Sequence, residues 1–281
     1  MEKKDVRVIE TFVKLQLAAE ALIGFTADTA NGQEISADDQ NLIKALEAGN
    51  GHASIFTPQA ARTFANEWTI LKQQASTSTG FSATLFQFKG KDDPARGLTA
   101  GQYVLSFRST EFIDDAVRDN QETNSMEIKE FGWAFGQISD MEKFWAGLRE
   151  DVHTKGVAVT GYSLGGHLAT AFTLMHPDKV SVTYTFNGAG VGDIKGATTA
   201  AQVGTGLQTV IKKFDDYRQG IGVESVFTDP VARKMYQAFR AWYSTSQTAS
   251  AQEIKARVLT DIVKVKTPSC VKPPPPPRAP D

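Results

Sequence analysis

Apolar residues recur at helical spacing through most of the first seventy positions. Residues 5–24 read as a helix, with Ile9, Phe12, Val13, Leu17 and Leu22 near one face and Gly24 suited to its end. Ser36-Ala-Asp-Asp39 has the form of a capping box and starts a second helix that Gly49 closes. Thr57-Pro58 opens a third, in which Phe64, Trp68 and Leu71 stand at i, i+4 and i+7. All three read as core-facing scaffold, and Trp68 as a packing residue rather than a ligand platform.

After Gly80 the period changes. Phe81-Ser-Ala-Thr-Leu-Phe-Gln-Phe88 alternates and is rich in aromatics, as a strand is. A polar turn, 89–97, leads to a second strand, Gln102–Phe107, which ends in Arg108-Ser109-Thr110-Glu111. Residues 127–152 carry Ile128, Phe131, Phe135, Ile138, Met141, Phe144, Trp145 and Leu148 at helical spacing, and Gly132, Gly136 and Gly147 predict a broken helix. Val157–Val159 is a short buried strand, followed by a helix as far as His176-Pro177. Val180–Phe186 alternates again and ends in Asn187-Gly-Ala-Gly-Val-Gly-Asp193. Strand, helix, strand, helix, strand predicts an α/β protein with a mostly parallel central sheet flanked by helices. The loops beyond the strands' C-terminal ends, at Ser109-Thr110, at Ser163 and at Asn187-Gly188, then converge at one edge. Farther on, 197–219 and 230–247 read as helices, and 251–266 as a helix or a final strand.

The chemistry concentrates at Val159-Thr-Gly161-Tyr-Ser163-Leu-Gly165-Gly-His167. A strand, then Gly-x-Ser-x-Gly, then an alanine- and leucine-rich helix is the order a nucleophile elbow requires. The serine sits on a tight turn whose backbone leaves no room for a Cβ two residues to either side, so glycine stands at 161 and 165. The helix that starts there points free N–H groups at charge developing in acyl transfer.

Three segments resemble the class 3 (fungal-type) lipases. Tyr103-Val-Leu-Ser-Phe-Arg-Ser-Thr110 is similar to their strand and oxyanion loop, Val159–Ala169 to their elbow, and Tyr184–Asp193 to the strand and loop that follow. Ser109 stands where that family usually has glycine, and Ala189-Gly190 where it has Pro-Arg. The resemblance, which covers roughly residues 80–195, implies an α/β-hydrolase fold with extra N-terminal helices and a helical C-terminal region. Residues 1–79 would be the N-terminal helical part, 80–266 the hydrolase core with a helical insertion, and 267–281 a tail. It implies hydrolysis of acylglycerol or similar carboxylic esters, a small-molecule or lipid substrate with contact at a lipid interface, and no cofactor. Ser163 would be the nucleophile, and the backbone N–H groups of Leu164 and Thr110 the oxyanion hole, with the Thr110 hydroxyl as an extra donor.

Serine becomes a useful nucleophile when an imidazole takes its proton, and in this fold the order is Ser, then Asp or Glu, then His. The histidines are His52, His153, His167 and His176. His153 precedes the elbow strand and so belongs at the sheet's other edge. His176 lies down the elbow helix, roughly 20 Å from the serine. His167 is one turn along but runs behind the serine. Nothing recommends His52. For the acid, Asp229 in Val223-Glu-Ser-Val-Phe-Thr-Asp-Pro is preferred, with Asp261 as its rival. Between them a helix gathers Met235, Tyr236, Phe239, Trp242 and Tyr243, read first as core and second as a lid over an apolar pocket. Five consecutive prolines, 273–277, read as a polyproline II tail, and the resemblance leads us to expect that it replaces a further strand and a histidine-bearing loop. Two readings stay open: a truncated hydrolase, or a hydrolase fold that binds lipid or a partner without turnover.

Composition narrows the classes. With 281 residues, 41% of them hydrophobic, the chain can bury a full core, and a net charge of −2 offers no basic field for nucleic acid. The histidines lack metal-ligand spacing, and Gly188-Ala-Gly190-Val-Gly192 lacks the full dinucleotide pattern. The single cysteine, Cys270, excludes an internal disulfide. The charged N-terminus has no signal-peptide core, and no apolar run reaches a membrane span, so the protein is expected in the cytoplasm or exported by a signal-peptide-independent route.

Overall fold

The computed structural model describes residues 6–22, 27–28, 40–50, 54–77, 79–109, 128, 132–194 and 196–218. Thr110, His52, Asp229, Asp261, the cap expected at Ser36–Asp39, the helix expected around Trp242 and the proline tail lie outside these residues.

Six strands stand side by side in sequence order: β1 (Ala27–Asp28), β2 (Trp68–Gln74), β3 (Ala83–Phe88), β4 (Tyr103–Phe107), β5 (Val157–Tyr162) and β6 (Val180–Phe186). The first four pair antiparallel and the last three parallel, so among the described residues the sheet is mixed rather than mostly parallel. The β3–β4 connection explains the difference. Asp93 caps a one-turn 3-10 helix, Pro94–Arg96, and Gly97 closes it at φ 68°. A connection without a crossover helix can join only antiparallel neighbours. From β4 onward each strand reaches the next through helices, and those pairs are parallel.

Helices cover both faces. On one side lie α1 (Val6–Ala21), α2 (Gln40–Ala48) and α3 (Pro58–Glu67), packed on Ile70, Phe86, Phe88, Val104 and Ala158. On the other lie α4 (Phe135–Ala146), α5 (Glu150–Lys155), α6 (Leu164–Met175) and α7 (Ala200–Arg218), packed on Leu85, Leu105, Phe107, Val157 and Val159. The break between α4 and α5 falls at Gly147, as the glycine pattern predicts.

Two helical expectations change. The third helix stops at Glu67, and Trp68 and Leu71 belong to β2. Trp68 turns to φ −125°, ψ 139° and pairs with Phe88, while the Lys89 amide bonds the Glu67 carbonyl. Pairing with β3, twenty positions away, outweighs the local helical spacing. On α1 the buried stripe is rotated from the predicted one. Phe12, Leu15, Ala18, Ala19 and Leu22 are buried, whereas Ile9 and Leu17 are exposed. Polar Gln16 and Glu20 are buried in that stripe instead.

Candidate active site

Parallel registry brings the ends of β4, β5 and β6 level, with Phe107 opposite Gly161 and Tyr162 opposite Phe186. Ser109, Ser163 and Asn187-Gly188, which follow those ends, therefore meet at one edge, as expected. Ser163 occupies the turn between β5 and α6 at φ 53°, ψ −117°. That combination is strained for a residue with a Cβ and matches the first central position of a II′ turn. The flanking glycines are required by contact. A Cβ on Gly161 would lie 2.0 Å from the Gly165 carbonyl oxygen, and one on Gly165 would lie 2.1 Å from that of Phe107. The helix and the end of β4 thus touch through backbone alone.

Hydrogen bonds lock the turn to the loop after β6. The Ser163 amide donates to the Phe186 carbonyl at 3.0 Å, and the Ser163 carbonyl accepts from Ala189 N–H at 2.9 Å and Gly166 N–H at 3.0 Å. Leu164 and Gly165 open α6, so their amides have no partner within the helix. Leu164 N–H is where an elbow presents its oxyanion donor. Tyr162, the serine's neighbour in the chain, is exposed.

His167 is fully buried and ties three segments together. Its Nε2 accepts from Ala134 N–H at 3.2 Å, which leaves Nδ1 protonated and donating to the Gly190 carbonyl at 2.9 Å. Burial lowers its pKa to about 4, against the partial support of the Gly190 carbonyl. With both ring nitrogens engaged it is a neutral staple and no base for Ser163. The His153 ring packs 4.4 Å from that of Trp145, and His176 Nε2 meets Glu142 Oε1 at 2.9 Å. His153 lies in α5, ahead of the start of β5, and His176 caps the C-terminus of α6, the end opposite Ser163. Among the described residues no histidine stands as a general base.

Residues that the sequence reading passed over lie on the α1 face. Gln73, Thr84, Ser106, Thr160 and Tyr184 are opposite one another on five adjacent strands, a polar row beneath the elbow. Gln16 and Glu20 of α1 close over its middle. Ser106 Oγ donates to Gln16 Oε1 at 2.9 Å, and Gln16 Nε2 donates to the Phe107 carbonyl and to Glu20 Oε1, both at 3.0 Å. Glu20 Oε1 also accepts from Ser109 N–H at 2.7 Å. Burial raises the Glu20 pKa, opposed by its Ser109 and Gln16 hydrogen bonds and the Arg108 charge. The signal for this pair was two polar residues four apart, one turn of helix, among apolar ones.

A cleft of about 530 Å³ between α1 and α3 is lined by Arg7, Lys14, Phe56, Thr63 and Arg96. It sits where β2 begins, away from Ser163. Comparison with family models, with curated proteins and with solved structures gave no match.

Proposed function

We propose that the chain is a serine carboxylic-ester hydrolase with an α/β-hydrolase fold of the class 3 lipase type. The backbone of Ser163 carries the reading: a strained serine at a strand-to-helix turn, with glycines at 161 and 165 that no larger residue can replace. Ser163 Oγ attacks the acyl carbon as its proton passes to a base. The carbonyl electrons move to oxygen, and the oxyanion is held by Leu164 N–H together with Thr110 N–H. Collapse expels the protonated alcohol and leaves an acyl-serine, which water then cleaves by the same two steps. The substrate is a small or lipid ester, and Asp229 is the proposed acid.

One observation favours a second reading, a hydrolase fold that binds lipid or a partner without turnover. Every described histidine is either committed to another contact or remote from the serine. Turnover of p-nitrophenyl butyrate separates the two. The ester reading expects hydrolysis by the chain and a loss of at least about 10³-fold in Ser163→Ala. Equal rates in both proteins, at the level of buffer alone, would leave the second reading standing.

A further inference from the structure

The loop after β4 enters the site held from an unexpected side. In class 3 lipases glycine is usual at the position of Ser109, and a glycine needs no side-chain partner. Here the amide of Ser109 donates to the Glu20 carboxylate at 2.7 Å. Glu20 is 6% exposed, and Gln16, one turn earlier, is 4% exposed. Gln16 braces the carboxyl while bonding the Phe107 carbonyl and Ser106 Oγ. The Phe107 carbonyl is the group against which Gly165 packs. From α1, then, one connected set of hydrogen bonds reaches Ser106, Phe107 and Ser109 in turn, and touches the backbone on which the elbow helix rests.

Polar groups this deep are costly to leave unpaired, and each of these has a partner that would be orphaned by its loss. The set is also larger than anchoring a helix needs, because α1 already buries Phe12, Leu15, Ala19 and Leu22. We infer that Glu20, braced by Gln16, is a positioning residue of this site, fixing Ser109 and, through Gln16, the Phe107 carbonyl against which Gly165 and the first turn of α6 rest. This rests on the ester-hydrolase reading above. Oxyanion donors act through fixed placement, so a loosened loop lowers the rate of the chemical step more than it weakens ground-state binding.

The test uses the full chain with Glu20→Ala, Glu20→Gln and Gln16→Met. Two quantities are read: p-nitrophenyl butyrate kinetics, and deuterium exchange at the Ser109 amide resolved by fragmentation mass spectrometry. In Glu20→Ala, Ser109 exchange rises at least about tenfold and kcat falls about 10- to 100-fold, with KM within about twofold. Glutamine keeps a carbonyl oxygen in the place of Oε1, so Glu20→Gln recovers kcat to within about threefold of wild type. Gln16→Met keeps Glu20 and much the same side-chain volume while removing the brace, and covers the case in which Glu20→Ala does not fold; its kcat falls about three- to tenfold. Unchanged Ser109 exchange in Glu20→Ala, or unchanged kcat in Gln16→Met while Ser163→Ala is dead, overturns the positioning role alone. Absence of Ser163-dependent turnover in the wild type overturns the ester reading, and the positioning role with it.

Discussion

Acid should loosen this protein at His167, and by an amount that the structure sets. The imidazole is fully buried, receives Ala134 N–H at Nε2 and donates from Nδ1 to Gly190. Protonating Nε2 would set two N–H groups against each other in an apolar enclosure that includes the Trp133 ring, 5.7 Å away. The folded-state pKa is accordingly lowered from 6.5 to about 4. Between those values the unfolded chain binds the proton and the folded chain does not, so the contribution is present above pH 6.5 and lost as pH falls toward 4. The full window corresponds to roughly 3 kcal/mol, most of it gone by about pH 4.5. Glu20 works in the opposite sense: its raised pKa lets the folded state hold a proton that the unfolded chain has released, which favours the fold in acid. Comparing wild type with His167→Asn cancels Glu20, which both proteins contain. Urea unfolding at several pH values between 7.5 and 4.5 is the assay. The wild type is the more stable at pH 7.5, and its advantage should shrink by roughly 2–3 kcal/mol by pH 4.5. A stability difference constant to within about 0.5 kcal/mol over that range would refute the buried neutral imidazole.

Two further perturbations test the local physics of the elbow. Ser163→Gly relieves a φ, ψ pair that glycine adopts freely, and should raise unfolding free energy by about 1 kcal/mol while abolishing any ester turnover; a destabilised variant would mean that the turn is not strained. Thr160 Oγ1 is buried without a hydrogen-bond partner among the described residues, so the isosteric Thr160→Val should stabilise by about 1 kcal/mol in urea unfolding, and a loss of similar size would show that the hydroxyl is satisfied.

Which features the sequence disclosed follows from how local they are. The elbow is a local object: five residues whose contacts fall mostly on one another, so its glycines announce it. The broken helix at Gly147 and the helix from Leu164 are equally local. Strand β2 is not. Phe64, Trp68 and Leu71 fit a helix by spacing, and only pairing of Trp68 with Phe88 makes the second half a strand. Sheet direction was legible but misread, because a polar turn without a helix between Phe88 and Tyr103 already required antiparallel neighbours. Glu20 was the least accessible. A pattern of hydrophobic residues puts Leu17 inward and Glu20 outward, and the reverse holds because Ser109 and Gln16 supply hydrogen bonds from 89 and 4 residues away. Burial of a carboxyl is decided by the partner, and the partner was on another element.

The choice between turnover and mere binding turns on what residue 163 costs the fold. A II′-like turn at this position is most stable with glycine, and any side chain there is held against strain of order 1–3 kcal/mol. Glycine already stands at 161, 165 and 166, each pressed against backbone, so the surrounding chain is built for small residues wherever contact demands one. At 163 contact makes no such demand, since the serine is half-exposed, and yet the strained side chain is present. A binding fold gains little from that hydroxyl, because Leu164 N–H and the helix N-terminus attract a polar headgroup whether 163 is serine or glycine. A nucleophile gains everything from it, since the same strain lifts Oγ clear of the backbone and beside the amide that receives the oxyanion. The energetics of the turn therefore favour the ester-hydrolase reading. Within that reading, the contacts of His153, His167 and His176 leave the base to a group other than these three.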